Sequence, residues 1–248
     1  MLKDKVVIVT GASKGIGFEI AKEFAARGAT VIVCSRNMAD AEKSAGLIKG
    51  KVYPEQLDVT SPPGVAKFMQ HMLDAHKRVD ILVNNAGYPF DRKIWFKKFH
   101  EVTEDEVDRV IAVDLKGTFR LSQAAIPQMV KRGGVIISIS STPAISGHTE
   151  GAPYSIAKAG IIAMTKHIAL EYGNKNIRAY TLALGNISTE ATFDSMTPAE
   201  KKKAAAENSM RRWGYPKEVA SVAASVADDS FSFATGNTIV VDGGAVLL

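Results

Sequence analysis

The chain has 248 residues, enough for one α/β domain with a substantial core, and 46% of them are apolar. Its formal net charge of +5 is scattered rather than clustered, so we expect no nucleic-acid partner, and the histidines lack metal-ligand spacing, so we expect no metal site. No run approaches the roughly 20 apolar residues of a membrane span. With the lone Cys34 and the absence of a signal-peptide pattern, this predicts a cytoplasmic protein without membrane contact.

A glycine-rich turn near the start of the chain predicts a nucleotide site. The apolar run at 6–9 predicts a buried strand, a helix follows the turn to about residue 27, and a second strand covers 30–34. Glycines between a strand and a helix let the backbone approach a pyrophosphate, and the helix N-terminus supplies N–H donors. This context therefore indicates dinucleotide binding. The turn residues assigned to the cofactor are Gly11, Ser13, Lys14, Gly15, Ile16 and Gly17.

The end of the second strand selects between the two nicotinamide cofactors. NAD sites place an acid there for the ribose 2′-hydroxyl, whereas NADP sites use arginine. This chain has Ser35 and Arg36 at that point and Lys14 in the glycine turn. We therefore predict a cationic clamp on the 2′-phosphate and a preference for NADP(H). The alternative is that Lys14 and Arg36 are two surface cations.

Two further strand ends carry candidate cofactor contacts. Asp58 and Val59 follow the third predicted strand, at 52–57. Asp58 is placed to meet the adenine, although aspartate is equally a common turn former. The fourth predicted strand, at 80–83, leads into Asn84-Asn-Ala-Gly87, whose small residues let the cofactor pass close to the backbone. Asn85 can bond across the sheet or to the cofactor ribose.

A loop rich in aromatic residues interrupts the α/β alternation at 88–102. Aromatic side chains concentrated in a loop must bury against something. Two interpretations are open: a satellite core or subunit contact, and a wall of the substrate pocket. The aromatic residues are Tyr88, Phe90, Trp95, Phe96 and Phe99.

The rest of the chain continues the alternation of strands and helices. Thr103, with Glu106 three residues on, predicts a helix start, and this helix carries Val113 and Asp114 to about residue 131. The pattern predicts one doubly wound α/β domain over residues 1–248, with helices on both faces of a parallel sheet. The remaining predicted elements are helices near 39–49 and 63–76, strands at 135–140, 177–183 and 238–241, a polar segment at 184–213 and a helix after Pro216.

Tyr154 and Lys158 form the candidate catalytic pair. A four-residue spacing on a helix puts them on one face, a turn apart. There a lysine ammonium favours the ionised form of a phenol. Ser141 follows the strand at 135–140, at the carboxyl edge where open parallel sheets bind their ligands. The three residues predict acid–base chemistry beside the nucleotide site.

The motifs found along the chain, and the order in which they occur, resemble those of the short-chain dehydrogenase/reductase family. The resemblance covers essentially the whole chain. Within this family the pattern is most similar to the branch of 3-oxoacyl-thioester (acyl-carrier-protein) reductases and glucose dehydrogenases. The resemblance implies one Rossmann sheet of seven parallel strands and a homotetramer. The motifs are Thr10-Gly-x-x-x-Gly-x-Gly17, Asn84-Asn-Ala-Gly87, Ser141, Tyr154-x-x-x-Lys158 and Thr235-Gly-Asn…Val-Asp-Gly-Gly244.

The resemblance also implies roles and a reaction, the interconversion of a ketone and a secondary alcohol by an NADP(H)-dependent oxidoreductase. Tyr154 would protonate the carbonyl oxygen, Ser141 would hydrogen-bond the developing oxyanion, and Lys158 would bind the nicotinamide ribose. A 3-oxoacyl thioester or similar carbonyl is the expected substrate, with a sugar as the alternative. Besides the glycine turn, the implied cofactor contacts are Ser35, Arg36, Asp58, Val59, Asn85, Ala86, Gly87, Val113, Tyr154, Lys158, Gly185, Ile187 and Thr189.

Two positions depart from the family pattern. The family usually has asparagine in place of Asp114, and Pro-Gly in place of Leu184-Gly185. A carboxylate can hold the water that the asparagine carbonyl holds, but its charge offsets part of the Lys158 ammonium field. We predict that Asp114 is ionised and belongs to the catalytic set. The alternatives are a protonated Asp114 that imitates asparagine, and a side chain that points away and matters only to its helix. The Leu184 change is expected to alter the approach to the nicotinamide.

Two other classes of function share part of this pattern. A nucleotide-binding regulator would need the fold without turnover, and an NADPH oxidation assay separates it from an enzyme. A lyase or epimerase would use the same tyrosine and lysine, but such relatives usually carry a larger C-terminal substrate domain. The complete set of Ser141, Tyr154 and Lys158 favours the oxidoreductase.

Overall fold

Seven parallel strands form the centre of the molecule, in the order β3-β2-β1-β4-β5-β6-β7. The computed structural model describes residues 2–190, 192–194 and 196–247, and these statements concern those residues. The prediction of a doubly wound α/β fold with seven parallel strands is confirmed. The strands are β1 (Val6–Thr10), β2 (Thr30–Ser35), β3 (Lys51–Gln56), β4 (Ile81–Asn84), β5 (Gly134–Ser141), β6 (Ile177–Leu184) and β7 (Thr238–Val241).

Helices connect the strands and cover both faces of the sheet. The long helix α5 begins as predicted, because the Thr103 hydroxyl accepts from the Glu106 N–H while the Glu106 carboxylate accepts from the Thr103 N–H. The helices are α1 (Gly15–Ala26), α2 (Met38–Leu47), α3 (Pro62–His76), α4 (Arg92–Trp95), α5 (Glu104–Met129), α6 (Pro143–Ser146), α7 (Ala152–Tyr172), α8 (Pro198–Ala205) and α9 (Pro216–Ala227).

The sheet separates two apolar cores, since side chains alternate between its faces. On β1, Val7 and Val9 join the core that includes α1 and α9. Val6 and Ile8 join the opposite core, with α3, α5 and α7. Burial on both faces explains why the central strands are continuous apolar runs.

Three of the described helices were absent from the sequence-based prediction: the single-turn helices α4 and α6, and the longer α8. The segment predicted to be polar, at 184–213, contains α8, whose N-cap Thr197 forms a capping box with Glu200. Its pattern predicted no helix because Ala204 alone among its residues is buried, so it has no apolar stripe. The indole N–H of Trp213 donates to the Lys201 carbonyl at 2.9 Å and ties α8 to the end of the segment.

The strand order places the nucleotide motif beside the Asn84 motif. β1 lies between β2 and β4, with Val9 paired to Val83, so Thr10 and Asn84 end adjacent strands. The chain adds strands in opposite directions on either side of this point, and such switch points in open α/β sheets hold ligands. Among the described residues no helix is long and apolar enough to cross a membrane.

Candidate active site

Thr10 and Asn85 join the glycine turn to the end of β4. The Thr10 hydroxyl accepts from the N–H groups of Asn85 and Ala86, each at 3.0 Å. In return, the Asn85 amide donates to the carbonyls of Thr10 and Gly11 at 2.9 and 3.0 Å. Of the two roles open for Asn85, the structure therefore contains the cross-sheet one.

Gly17 is required by this same contact. A Cβ built on it would lie 2.4 Å from the Asn85 amide nitrogen and 2.5 Å from the Gly11 carbonyl, so any side chain would force the turn open. Gly15 begins α1, with the exposed Lys14 as its N-cap residue. Thr189 lies across from this turn, since a Cβ on Gly15 would be 3.7 Å from its methyl group. The structure thus brings Thr189, predicted as a cofactor contact, to the glycine turn.

Arg36 and Asp58 lie together at the carboxyl ends of β2 and β3. Asp58 accepts from the hydroxyl and N–H of Thr60, at 2.7 and 2.9 Å, which makes it a turn former. The Thr60 hydrogen bonds, and to a smaller extent the charge of Arg36, hold the pKa of Asp58 below its usual value. Arg36 is exposed, and within the described residues neither it nor Lys14 forms a salt bridge. Two cations thus remain open to an anionic ligand at this corner.

Ser141 ends β5 and lies beside Leu184, the last residue of β6. Its hydroxyl donates to the Leu184 carbonyl at 3.2 Å, and the Thr142 N–H donates to the same oxygen at 3.0 Å. The Leu184 carbonyl therefore fixes the turn that carries Ser141. A hydroxyl rotates about its C–O bond, so the same group can donate to a substrate oxygen.

Lys158 and Asp114 form a buried ion pair. Lys158 Nζ lies 3.0 Å from Asp114 Oδ2, and the two side chains are only 6% and 1% exposed. Lys158 also donates to the Ile139 carbonyl at 3.2 Å, while Asp114 Oδ1 accepts from the Tyr88 N–H. One carboxylate oxygen of Asp114 thus accepts from the backbone and the other lies against the Lys158 ammonium.

The charge of Lys158 depends on this pair. Burial alone would lower the pKa of its ammonium, but the negative charges of the Asp114 carboxylate and of the Tyr154 phenolate outweigh that effect and raise the pKa above its usual value. Lys158 therefore stays protonated at neutral pH. Within the described residues the ammonium donates to the Ile139 carbonyl and lies against the Asp114 carboxylate, so at least one of its three N–H donors is left for a ligand hydroxyl.

Tyr154 lies on the first turns of α7, with Lys158 Nζ 5.4 Å from its ring centre. Its ring also meets Trp95, from the aromatic loop, edge to face at a centroid distance of 5.5 Å. The sequence could not decide whether that loop faced the site. The structure brings Trp95 to Tyr154, a contact between residues 59 positions apart that no sequence spacing encodes.

The other residues predicted to contact a cofactor lie around this edge of the sheet or under it. Ile187 is buried and pairs with Gly214, and Gly185 donates its N–H to the Val241 carbonyl at 3.1 Å. Gly87 approaches Asp114. Those that pack at least partly in the cores are Ile16, Val59, Ala86 and Val113, while Ser13 and Ser35 lie in or beside the turns that end β1 and β2.

The likeness to known proteins extends over nearly the whole chain. A family model described as enoyl-(acyl carrier protein) reductase matches residues 11–246. The chain is 37% identical to the 3-oxoacyl-(acyl-carrier-protein) reductase FabG of Thermotoga maritima, over 99% of each sequence. It is 34% identical to dehydrogenase/reductase SDR family member 4 of Bos taurus, over 99% of this chain and 88% of the relative. With glucose 1-dehydrogenase 2 of Bacillus subtilis the identity is 33%, over 99% and 96%. The resemblance inferred from the motifs is confirmed.

Proposed function

The chain belongs to the short-chain dehydrogenase/reductase family and is an NAD(P)-dependent enzyme, and we propose that it uses NADPH to reduce a 3-oxoacyl thioester or a similar ketone to the secondary alcohol. The observation that carries this proposal is the buried Lys158–Asp114 pair, one helical turn from Tyr154. A dinucleotide-binding regulator would have no use for a buried ammonium beside a phenol. Burying two charges is costly and is commonly retained for a functional reason.

The residues present fit an NADP cofactor at the carboxyl edge of the sheet. The glycine turn and the N-terminus of α1 would hold the pyrophosphate, and the unpaired cations Lys14 and Arg36 would hold the 2′-phosphate. The free N–H donor of Lys158 would bind the nicotinamide ribose. When bound, NADPH supplies the hydride that reduces the carbonyl carbon.

In the proposed mechanism the protein supplies the proton and stabilises charge on oxygen. Tyr154 donates its phenolic proton to the substrate oxygen, and the Lys158 ammonium stabilises the phenolate that remains. Ser141 turns its hydroxyl from the Leu184 carbonyl to the substrate oxygen and stabilises the developing negative charge. In the reverse direction, the Tyr154 phenolate removes the proton from the alcohol.

Asp114 is proposed to act through Lys158. It keeps the ammonium charged in a buried site and fixes its position through a direct ion pair. The cost is that its negative charge weakens the ammonium field at Tyr154. This balance suits a reductase, because the phenol has to hold a proton before it can donate it.

The sugar alternative is supported by the likeness to glucose 1-dehydrogenase 2 of Bacillus subtilis, at 33% identity. The surroundings of Tyr154 favour the acyl substrate. Trp95 contacts the Tyr154 ring, and Phe90 in turn contacts Trp95, with ring centres 5.5 Å apart in each case. Such a surface stabilises an apolar chain better than a polyol.

We further propose a homotetramer. Phe119 on α5 and Ile156 on α7 are about half exposed, on helices that pack against each other. Phe233, shortly before the edge strand β7, is fully exposed, and Tyr215, just before α9, is half exposed. Exposed apolar residues in two separate regions of the chain fit the two kinds of interface in a tetramer with dihedral symmetry. The molar mass measured by light scattering should be that of a dimer for Phe119→Asp and for Phe233→Asp. A monomeric wild type would contradict the proposal.

The function is tested by NADPH absorbance with the purified protein. A panel of 3-oxoacyl thioesters, glucose and small ketones is offered with NADPH or, in reverse, the alcohols with NADP. We expect the highest kcat/KM for an acyl thioester. Tyr154→Phe is the matched control and should be inactive. Glucose as the best substrate would transfer the assignment to the sugar branch. A protein that binds NADPH but turns over none of these would contradict the enzyme proposal.

A further inference from the structure

Trp95 is held in place by three separate contacts, all of them with residues 150–154. Its carbonyl accepts from the Gly151 N–H at 2.9 Å, and its indole N–H donates to Glu150 Oε2 at 2.9 Å. Its ring meets the Tyr154 ring edge to face. The loop before α5 is thereby attached to the first turn of the helix that carries Tyr154 and Lys158.

Gly151 accommodates this arrangement and no other residue would. A Cβ built on Gly151 would lie 2.6 Å from the Trp95 ring, and the backbone there has φ +69°. Both the close approach and the left-handed conformation require glycine. The indole therefore occupies a space that the opposite loop leaves open for it.

The base of the aromatic loop is fixed independently of Trp95. Ile94 is buried, and Asp91 caps the short helix α4 by accepting from the Lys93 N–H. Lys97 forms an ion pair with the largely buried Glu106 of α5 at 2.6 Å. A surface loop anchored on both sides of Trp95 presents its ring in a preorganised position.

The contacts left to the indole are with two other rings. Phe90 and His148 lie against it with ring centres at 5.5 and 5.7 Å, and part of the Trp95 side chain stays exposed beside Tyr154. The one polar group of the indole is already bonded to Glu150. Any group that meets this ring next to the reacting carbonyl is thus selected by size and apolar contact, without a hydrogen bond.

We propose that Trp95 is the specificity-determining residue of this site, the wall against which the apolar group attached to the substrate carbonyl packs, and that it limits the length of that group. This rests on the proposed reduction of a carbonyl at Tyr154. The indole fills space directly beside the phenol, so a short chain contacts it and a long chain has to pass it. Apolar pockets discriminate by roughly 10–200-fold for each methylene gained or lost.

The test compares wild type, Trp95→Ala and Trp95→Phe on a series of 3-oxoacyl thioesters of increasing chain length. In Trp95→Ala, kcat/KM for the shortest substrate should fall at least about 10-fold through KM, and the preferred length should increase. Trp95→Phe retains an aromatic ring beside Tyr154 without the hydrogen bond to Glu150. Its kcat/KM for the shortest substrate and its preferred chain length should lie between those of the wild type and Trp95→Ala. The calorimetric Kd for NADPH should stay unchanged in both variants. Phe99→Ala, an exposed aromatic of the same loop, is the matched control and should keep the wild-type profile.

An unchanged dependence on chain length in Trp95→Ala would overturn the proposal, even if all rates fell together. A change in mass by light scattering with unchanged kinetics would assign Trp95 to a subunit contact instead. If circular dichroism shows that Trp95→Ala does not fold, the test uses Trp95→Phe instead, and an unchanged dependence on chain length in that variant would overturn the proposal. If the wild type turns over no carbonyl, the proposed function fails separately. Calorimetric titration of the corresponding 3-hydroxyacyl thioesters into the NADP-loaded wild type and Trp95→Phe then measures the length preference without turnover.

Discussion

The two halves of the sheet edge are built by different means. Where β1 to β3 end, neutral hydrogen bonds between Thr10 and Asn85, which follows the neighbouring β4, hold the backbone, and the cations Lys14 and Arg36 remain exposed. Under the ends of β4 to β6, the charges are buried and paired, as in Lys158 with Asp114. The first half offers charge to a ligand, whereas the second half uses charge to set the properties of its own groups.

The difference teaches where substitutions will matter most. An exposed cation is already solvated, so losing it removes ligand contacts and little stability. A buried ammonium that loses its partner is left unpaired in a medium of low dielectric constant, which costs both stability and activity. The two halves can therefore be separated by experiment.

Tyr154→Phe should have the largest effect, a loss of turnover without a loss of cofactor binding. Removing the proton donor should lower kcat by about 10²–10⁴-fold. The Kd for NADPH should stay at the wild-type value, because the glycine turn and Arg36 are untouched. Stopped-flow turnover and calorimetric binding measure the two quantities. Near wild-type turnover would place the acid elsewhere.

Asp114→Ala should affect both stability and rate, because it leaves the Lys158 ammonium buried with the Ile139 carbonyl as its remaining described partner. Breaking a buried pair typically costs about 3–5 kcal/mol, which chemical denaturation would measure. Much of kcat should be lost in both directions. Full activity in this variant would remove Asp114 from the site.

Asp114→Asn is the matched control, since the amide keeps an acceptor and removes the charge. It should retain activity. Without the negative charge, the Lys158 field on the phenol is stronger, so the phenolate forms more readily. The midpoint of the pH profile for alcohol oxidation should therefore move to lower pH. An unchanged profile would contradict the charge argument.

Arg36→Asp should change the preference between the two cofactors and leave the catalytic residues unaffected. Each charge-assisted hydrogen bond to a 2′-phosphate contributes roughly 1.5–3 kcal/mol, so the preference for NADPH over NADH should fall by about 10–150-fold or reverse. Arg27→Asp makes the same charge change at the far end of α1 and should leave the ratio unaltered. Equal kcat/KM for both cofactors in the wild type would refute the clamp.

Asp58→Asn should have the smallest effect, within about 0.5 kcal/mol of wild-type stability at neutral pH, since the amide oxygen can still accept from Thr60. The pKa of Asp58 is held below its ordinary value of 3.8, so its charge stabilises the fold above that pH. The difference between variant and wild type should disappear as the pH falls below 3.8 and through the folded-state pKa. Thermal unfolding across this pH range is the measurement, and a difference that persists at low pH would contradict the assignment to charge.

The local elements and the family could be predicted from the sequence because their signals lie within short stretches. Apolar runs bounded by glycine and polar residues predicted the seven strands, and a four-residue spacing predicted that Tyr154 and Lys158 share a helix face. The helix α8 escaped prediction because it lacks an apolar stripe. Local periodicity can locate a helix only where one of its faces is buried.

The sequence alone determined the fold class, the family and the position of the candidate catalytic residues along the chain. Tertiary structure decided which distant residues meet: Asp114 with Lys158, Thr10 with Asn85, and Trp95 with Tyr154. It also decided that Asp58 forms a turn with Thr60 and that Leu184 anchors the Ser141 turn. These contacts depend on the order of strands in the sheet and on how the loops fold over its carboxyl edge. Neither can be predicted from the spacing of nearby residues, because strand order and loop packing depend on how the whole sheet is buried.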